Sequence, residues 1–271
     1  MTASPQWGDL KVRILSGLVV LGLGLAMVWA GGAPVRLLGC LAAGAMIWEL
    51  ARMRADAAPA GTVAIGLVAA AVMAVVLWWH DSGWVLLLAL PALIVGWRAG
   101  FRRPGDGLVH AAYGFLIMVA VYGFVGLREG VGLPIALWLV LVVVASDVMG
   151  YFGGRLIGGP KFWPRVSPKK TWSGTIAGWV GAGLVGVAFV LFHGQPWSLV
   201  LLSAVTALAA QMGDIAESAL KRRAGIKDSS NLIPGHGGVL DRFDALIGAS
   251  AFVLIGLALR LPALHSFVEK V

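Results

Sequence analysis

The segment Leu133-Pro-Ile-Ala-Leu-Trp-Leu-Val-Leu-Val-Val-Val-Ala-Ser-Asp-Val-Met-Gly-Tyr-Phe-Gly153 decides the fold class of this chain. Asp147 is its only charged residue. An α-helix of about 20 apolar residues can cross a lipid bilayer. Similar runs recur along the chain, which is 59% hydrophobic and 13% charged, whereas soluble domains carry about 25% charged residues. The sequence therefore predicts an all-α, polytopic integral membrane protein.

About nine membrane-spanning helices are predicted, near residues 12–30, 34–51, 61–79, 83–97, 108–126, 133–153, 173–193, 197–217 and 243–262. Glycine and proline clusters such as Gly31–Pro34 and His193–Pro196 indicate the connections. The fourth run is short and contains Pro91. The first run follows a polar start and lacks a small-residue cleavage site, so we interpret it as a retained span rather than a signal peptide. Cys40, the single cysteine, allows no disulfide within the chain.

The distribution of basic residues predicts the orientation. Seventeen of the 21 lysines and arginines lie at the N-terminus or in every second connection after it, and basic connections stay on the cytoplasmic side. We expect a cytoplasmic N-terminus and an active site that faces the cytoplasm, in a bacterial inner membrane. The predicted regions are 1–130, with about five spans, and a catalytic region 131–271, with about four spans and cytoplasmic loops 154–172 and 218–242. The same asymmetry explains the net charge of +8, and no nucleic-acid-binding module accompanies it.

Asp147 is the first candidate functional residue. An ionisable group inside a span is costly, and it usually faces a cavity or a partner. On a helix, Asp147, Tyr151 and Gly154 share one face because they are spaced i, i+4 and i+7. The alternative interpretation is a structural ion pair with Arg155 or another arginine.

A second candidate group lies at the cytoplasmic end of the eighth predicted span. Asp214, Glu217, Ser218 and Lys221 follow one another at i, i+3, i+4 and i+7, which puts two carboxylates, a hydroxyl and an ammonium on one stripe. Glu217 and Lys221 alternatively form a simple i,i+4 surface pair. That alternative suits Asp214 less well, because a serine rather than a base follows it by four residues.

The third candidate is the glycine-rich segment Pro234–Asp244. Glycines let a backbone approach phosphate oxygens closely and direct its N–H groups at them. Asp241 and Asp244 are three residues apart on one predicted helix face. Such oxygen ligands suit Mg²⁺, whose coordination sphere substrate phosphates complete. The alternatives are a helix N-terminus served by the aspartates and a turn or carboxylate-pairing role for His236.

Two lysines precede the seventh predicted span. Lys169 and Lys170 stand in Ser167–Gly174 beside threonine, serine and glycine. That setting favours an anion site, although the cytoplasmic bias of basic residues accounts for both lysines equally well.

These residues resemble a known family. The block Ser218–Asp244 is similar to the signature of the phosphatidate cytidylyltransferase (CDP-diglyceride synthase) family, and so are Ser146–Arg155 and Ser167–Trp172 upstream. Many members have a glutamate after that tryptophan, but this chain has Ser173, so no acidic role is transferred there. The signature positions are Ser218, Lys221, Arg222, Lys227, Asp228, Ile233, Pro234, His236, Gly237, Gly238, Asp241, Arg242 and Asp244.

The resemblance implies the reaction CTP + phosphatidate → CDP-diacylglycerol + pyrophosphate, in membrane lipid and with Mg²⁺ as cofactor, a second cation being left open. It assigns metal binding to Asp214 and Asp241. The implied catalytic residues are Asp214, Asp241, Lys227 and Asp244, and charge and position add Asp147 as a hypothesis. The expected substrate-binding residues are Ser218, Lys221, Arg222, Asp228, His236, Gly237, Gly238, Arg242 and Arg155, to which charge and position add Lys169 and Lys170.

Two other functions remain open from the sequence alone. A CTP-dependent polyprenol kinase would transfer the γ-phosphate of the nucleotide rather than its cytidylyl group. A secondary transporter would use intramembrane carboxylates such as Asp147 and Asp214 as an ion relay. That fold type usually has two symmetric halves, and this sequence shows no such repeat. A homodimer is also left open.

Overall fold

The computed structural model of the chain describes residues 6–53, 59–79, 82–100, 105–235 and 237–270. Helices account for most of this part, and one short β-hairpin interrupts them. The helices are α1 (Gln6–Ala30), α2 (Gly32–Arg52), α3 (Pro59–Trp78), a 3₁₀ helix (Ser82–Leu88), α4 (Ala89–Gly100), α5 (Asp106–Gly130), α6 (Leu133–Leu156), α7 (Trp172–His193), α8 (Ser198–Ala224), α9 (Leu240–Ala258) and α10 (Pro262–Glu269). The hairpin consists of β1 (Lys161–Trp163) and β2 (Ser167–Thr171).

The predicted all-α, polytopic membrane architecture is confirmed. Within the described residues, six helices are long and apolar enough to cross a membrane, namely α2, α3, α5, α6, α7 and α8. Helices α9 and α10 are bent by 92° at a short break and would add a seventh span if they cross together. Helical segments 17–30 and 83–99 are apolar but shorter. Every predicted span thus overlaps a helix, and among the described helices six meet the criteria for a span, or seven with the bent pair, so the count of nine stays a prediction.

The chain forms two compact units that are not consecutive in sequence. Unit one combines Met1–Met118 with Ile226–Arg242, and unit two combines Val119–Gly225 with Phe243–Val271. The predicted division at residue 130 is therefore not a division seen in the packing, and it stays a prediction about function. Most of the glycine-rich segment Pro234–Asp244 lies in unit one.

In unit one, α2 and α3 pack at a point where both helices carry glycine. A Cβ atom on Gly66 would lie 2.8 Å from the backbone oxygen of Gly44 and 2.7 Å from Cβ of Trp48. Small residues allow membrane helices to approach this closely, and van der Waals packing then holds them together. The same close approach brings the buried residues of α2 into a fixed position.

The core of unit two is aromatic where α6, α8 and α10 meet. Trp138 is fully buried, its indole N–H donates to Ser203 Oγ at 2.9 Å, and its ring meets that of Phe267 edge-on at 5.2 Å. Phe267 belongs to α10, which follows Arg260 in a left-handed backbone conformation (φ 55°). A buried indole needs such a partner for its N–H. This packing fixes α6 and α8, the two helices that carry the candidate residues of unit two.

Two predicted loops are shorter and more ordered than expected. The 154–172 loop contains the antiparallel β1–β2 hairpin, in which Lys161 pairs with Thr171. The Thr171 side chain then caps α7 by accepting from the N–H of Gly174 at 3.2 Å. The first residues of the predicted 218–242 loop belong to α8, which continues to Ala224. Gly225 caps this helix in the left-handed conformation.

Candidate active site

Three carboxylates converge in unit two. Asp214 and Glu217 lie one turn apart on α8, and Asp244 lies on α9. One carboxylate oxygen from each lies within 4.8 Å of the other two. The helices can approach because Gly213 has no side chain: a Cβ there would be 2.3 Å from the backbone oxygen of Asp244.

Two lysines and a serine surround this cluster. Lys170 Nζ lies 2.5 Å from Asp214 Oδ2, and Lys221 forms an ion pair with Glu217 one turn earlier on α8. Ser218 Oγ donates to Asp214 Oδ1 at 3.3 Å. The Glu217–Lys221 pair expected for a surface helix is therefore present, but Glu217 is fully buried, so the pair is part of the cluster and not a solvated surface contact.

The cluster has the donor chemistry of a divalent cation site. Its three carboxylates outnumber the two lysines, and two of them, Glu217 and Asp244, are buried. Buried carboxylates are costly unless cations compensate them. Carboxylate oxygens are the ligands preferred by Mg²⁺, which also retains waters and substrate phosphates. The residues present fit such an ion.

A pocket of about 380 Å³ lies in the same unit, between α6, β2, α7 and α8. Its lining carries both signs of charge and several glycines. The residues around it are Ser146, Asp147, Gly150, Tyr151, Gly154, Arg155, Lys169, Lys170, Thr171, Gly174, Thr175 and Gln211. Lys170 lines the pocket and also pairs with Asp214 of the carboxylate cluster, so a ligand bound to Lys170 in the pocket would lie next to the cluster.

The predicted face of Asp147, Tyr151 and Gly154 does line this pocket. Arg155 donates from Nη1 to Tyr151 Oη at 2.6 Å. Asp147 lines the same pocket as Lys170, and Arg155, the structural partner considered from the sequence, bonds to Tyr151.

Gln211 is a pocket residue that the sequence patterns did not single out. It is buried on α8, where its Oε1 accepts from Trp179 Nε1 at 3.0 Å. Its Nε2 donates to Ser146 Oγ and to the Thr175 carbonyl, both at 3.3 Å. The amide thereby connects α6, α7 and α8 at the pocket, a role that no local spacing rule could indicate.

The glycine-rich segment forms a tight loop in unit one. Asp241 accepts hydrogen bonds from the backbone N–H of Ser229 at 2.9 Å, from Ser229 Oγ at 2.9 Å and from the N–H of Gly238 at 2.8 Å. The N–H of Ile233 donates to the Gly237 carbonyl at 2.8 Å. Gly237 has φ +85°, a conformation that favours glycine. The glycines thus serve the loop's own folding in this structure.

A second carboxylate in unit one, that of Glu49 on α2, was not predicted from the sequence. It is fully buried and accepts from Ser230 Oγ at 2.5 Å, from the N–H of Leu240 at 2.6 Å and from the N–H of Val239 at 2.9 Å. Glu49 is an acidic residue within a predicted span. The criterion that singled out Asp147, an ionisable group inside an apolar run, would also have found it.

The structure distributes the predicted site residues between the two units. In unit two it brings together Asp214, Asp244, Ser218, Lys221 and Lys170, and it places Asp147, Arg155 and Lys169 around the pocket, with Arg222 exposed on α8. In unit one it places Lys227, Asp228, Gly237, Gly238, Asp241 and Arg242 on the loop and the start of α9. His236 lies outside the described residues. Asp241, the predicted partner of Asp214 in metal binding, stays a prediction, and its carboxylate has the loop contacts given above.

Comparison with known protein families settles the family of this chain. Residues 11–259 match the model of the cytidylyltransferase family. The chain belongs to the cytidylyltransferase family. The predicted resemblance and the predicted class, a nucleotidyltransferase, are confirmed by this match, which disfavours the transporter alternative.

Curated relatives cover nearly the whole chain. A Brucella abortus protein named phosphatidate cytidylyltransferase is 34% identical over 259 residues, which span 91% of this chain and 93% of the relative. Proteins of the same name from Pseudomonas aeruginosa and Staphylococcus epidermidis are 35% and 33% identical, over 89% and 88% of this chain and 94% and 95% of their own lengths. The similarity therefore includes the N-terminal helices, for which the sequence motifs offered no specific evidence.

Proposed function

We propose that this protein transfers the cytidylyl group of CTP to phosphatidate, giving CDP-diacylglycerol and pyrophosphate. The observation that carries the proposal is the convergence of Asp214, Glu217 and Asp244 beside Lys170 and Lys221 on membrane helices. Family membership and the names of the relatives support the same reaction.

The proposed reaction needs little general-base catalysis. An ionised phosphate oxygen of phosphatidate attacks the α-phosphorus of CTP, and the bond from that phosphorus to the oxygen bridging to the β-phosphate breaks. Pyrophosphate leaves with the electron pair of that bond. Because the nucleophile is already charged, the main tasks of the protein are to position two polyanions and to stabilise the charge that develops between them.

We assign Mg²⁺ binding to Asp214, Glu217 and Asp244. A divalent cation held there would neutralise phosphate charge and polarise the phosphoryl group under attack. Asp241, which the sequence predicts as a ligand, instead shapes the glycine loop in our proposal, because its Oδ2 already accepts from Ser229 and Gly238.

The lysines and the pocket would hold the substrates. Lys170 lies between the pocket and the cluster, so we assign it to a substrate phosphate next to the cation. Lys169 and Arg155, both exposed at the pocket, would bind the remaining negative charge. Lysine acts on phosphates as a flexible point charge, whereas the arginine fork offers two parallel donors.

We further propose that the chain lies in a bacterial inner membrane with the active site facing the cytoplasm, where CTP is found. Bacterial relatives and the basic residues of alternate connections support this orientation. A cytoplasmic N-terminus, nine spans and a homodimer remain predictions of this proposal.

An assay with differently labelled CTP tests the proposed reaction. Purified protein is incubated with phosphatidate in mixed micelles, Mg²⁺ and CTP labelled at either the α- or the γ-phosphate. We expect the α-label to enter the lipid fraction and the γ-label to remain in pyrophosphate. The reverse pattern, with a polyprenol as acceptor, would identify a kinase.

Two variants control this assay. Glu269→Gln changes an exposed carboxylate of α10 and should leave the rate unchanged, whereas Asp214→Asn should abolish lipid labelling. An absence of CDP-diacylglycerol in the unmodified protein, or equal labelling by Asp214→Asn, would overturn the proposal.

A further inference from the structure

We propose that Glu49 is a positioning residue, which holds the glycine loop of the signature block in its binding-competent conformation. The catalytic consequence of this inference rests on the proposed function, whereas the role of Glu49 in holding the loop does not depend on it. Glu49 lies on α2, about 170 residues before the signature block, and no motif includes it.

Three donors bind the Glu49 carboxylate, and a fourth polar group, the Ser229 hydroxyl, lies beside it. Oε1 accepts from Ser230 Oγ at 2.5 Å and from the N–H of Val239 at 2.9 Å. Oε2 accepts from the N–H of Leu240 at 2.6 Å, and it lies 3.3 Å from Ser229 Oγ, whose proton goes to Asp241 at 2.9 Å. The same carboxylate therefore contacts both sides of the loop: the serines at 229–230, before the glycines, and the backbone at 239–240, after them.

The contacts to Val239 and Leu240 satisfy donors that a helix start leaves without partners. The first N–H groups of an α-helix have no partner within the helix, and α9 begins at Leu240. A negative side chain is stabilising at this end because the helix dipole is positive there. Glu49 thus serves as a remote N-cap, supplied by another helix.

Glutamine cannot replace Glu49 in this position. Each carboxylate oxygen faces one backbone N–H, which can only donate, so either orientation of a glutamine amide would place its NH₂ group against a donor. At least one buried donor would lose its partner, which is costly in a buried environment. The loop must then change shape to relieve the conflict.

The loop has little room to change shape while remaining folded. A Cβ on Gly238 would lie 2.0 Å from Ser229 Oγ and 2.5 Å from Glu49 Oε1. The glycine is thus required where the carboxylate passes the loop. The loop also carries Lys227 and Asp228, and Arg242 follows it, all three being predicted substrate or catalytic residues. Losing the Glu49 contacts would misplace these groups.

Hydrogen exchange measured by mass spectrometry tests the structural part directly. We compare full-length protein with Glu49→Gln, with Ser230→Ala, which removes one of the three donors, and with Glu269→Gln as a matched glutamate control at an exposed site. We expect faster exchange in peptides covering 226–242 in Glu49→Gln, a smaller increase in Ser230→Ala and none in Glu269→Gln. Peptides from α6 and α7 should exchange as in the unmodified protein.

Steady-state kinetics test the functional part. In Glu49→Gln we expect kcat/KM for CTP to fall about a hundredfold, since small displacements of binding groups have effects of this size. Ser230→Ala should show a smaller loss in the same parameter, and it keeps the test valid if Glu49→Gln does not fold.

Unchanged hydrogen exchange at 226–242 in both variants would overturn the inference, and so would exchange that increases equally in all helices. Kinetics would overturn it if the KM values for CTP and for phosphatidate stayed constant and only the amount of active protein fell. If the unmodified protein forms no CDP-diacylglycerol, the proposed function fails, while the exchange data still decide whether Glu49 holds the loop.

Discussion

The clustered carboxylates of the two units have opposite surroundings. In unit one, Glu49 and Asp241 are surrounded by N–H and O–H donors that belong to one loop. In unit two, Asp214, Glu217 and Asp244 approach one another and two lysines. A carboxylate surrounded by neutral donors stabilises a fold, whereas carboxylates that converge need a cation. In our proposal, the difference separates residues that shape a loop from those that bind a metal ion.

The largest effect is expected from Asp214→Asn in unit two. This change removes a proposed metal ligand and the partner of Lys170 while keeping the side-chain shape. We expect the rate of CDP-diacylglycerol formation to fall about a thousandfold, as for loss of a group that stabilises transition-state charge. The thermal midpoint should change little, because the Asp214 side chain is 30% exposed. A residual rate within tenfold of the unmodified protein would place the cation elsewhere.

A comparison of Asp244→Asn with Asp241→Asn sharpens the contrast between the units. If Asp244 is a ligand and Asp241 shapes the loop, only Asp244→Asn should raise the Mg²⁺ concentration needed for half-maximal rate, by about 10- to 100-fold, as for damage to a metal site. Asp241→Asn should instead lower the rate at every Mg²⁺ concentration. A Mg²⁺ titration of both variants separates the two roles. If only Asp241→Asn raised the Mg²⁺ concentration needed for half-maximal rate, the ligands would be Asp214 and Asp241, as the sequence predicts.

A smaller effect is expected when the loop of unit one is overpacked. Gly238→Ala forces a methyl group against Ser229 and Glu49. Overpacking costs about 1–3 kcal/mol, so we expect a loss of about tenfold or more in kcat/KM for CTP, with the Mg²⁺ requirement unchanged. Gly126→Ala is the matched control, since a Cβ there would meet no atom within 4 Å. Equal rates for the two alanine variants would show that the loop tolerates rearrangement.

Much of the fold could be predicted because lipid imposes a strong constraint. Apolar runs must form helices to satisfy their backbone hydrogen bonds, and every predicted span overlaps a helix. The span count was less predictable, since the run around Pro91 begins as a 3₁₀ helix and the last run breaks near Arg260. The β1–β2 hairpin was missed because its strands have only three and five residues.

The candidate site was predictable where its residues share one helix face. Helical spacing placed Asp214, Ser218 and Lys221 together, and it also singled out Asp244, but as a neighbour of Asp241. Spacing could not decide whether Glu217 formed only a surface pair with Lys221, because burial depends on the neighbouring helices. Gln211 and Glu49 act on segments distant in sequence, so no local pattern could assign their partners.

The sequence by itself determined the membrane class, the family and the residue types available for phosphate and metal chemistry, because hydropathy, helical period and a long motif are local properties. Only the tertiary structure decided which acids converge on one another and which accept from a loop. The signature block contains Asp241 and Asp244 only three residues apart, yet their carboxylates have different surroundings: Ser229 and Gly238 around one, Asp214 and Glu217 around the other. A carboxylate's role depends on the donors and charges that packing brings to it.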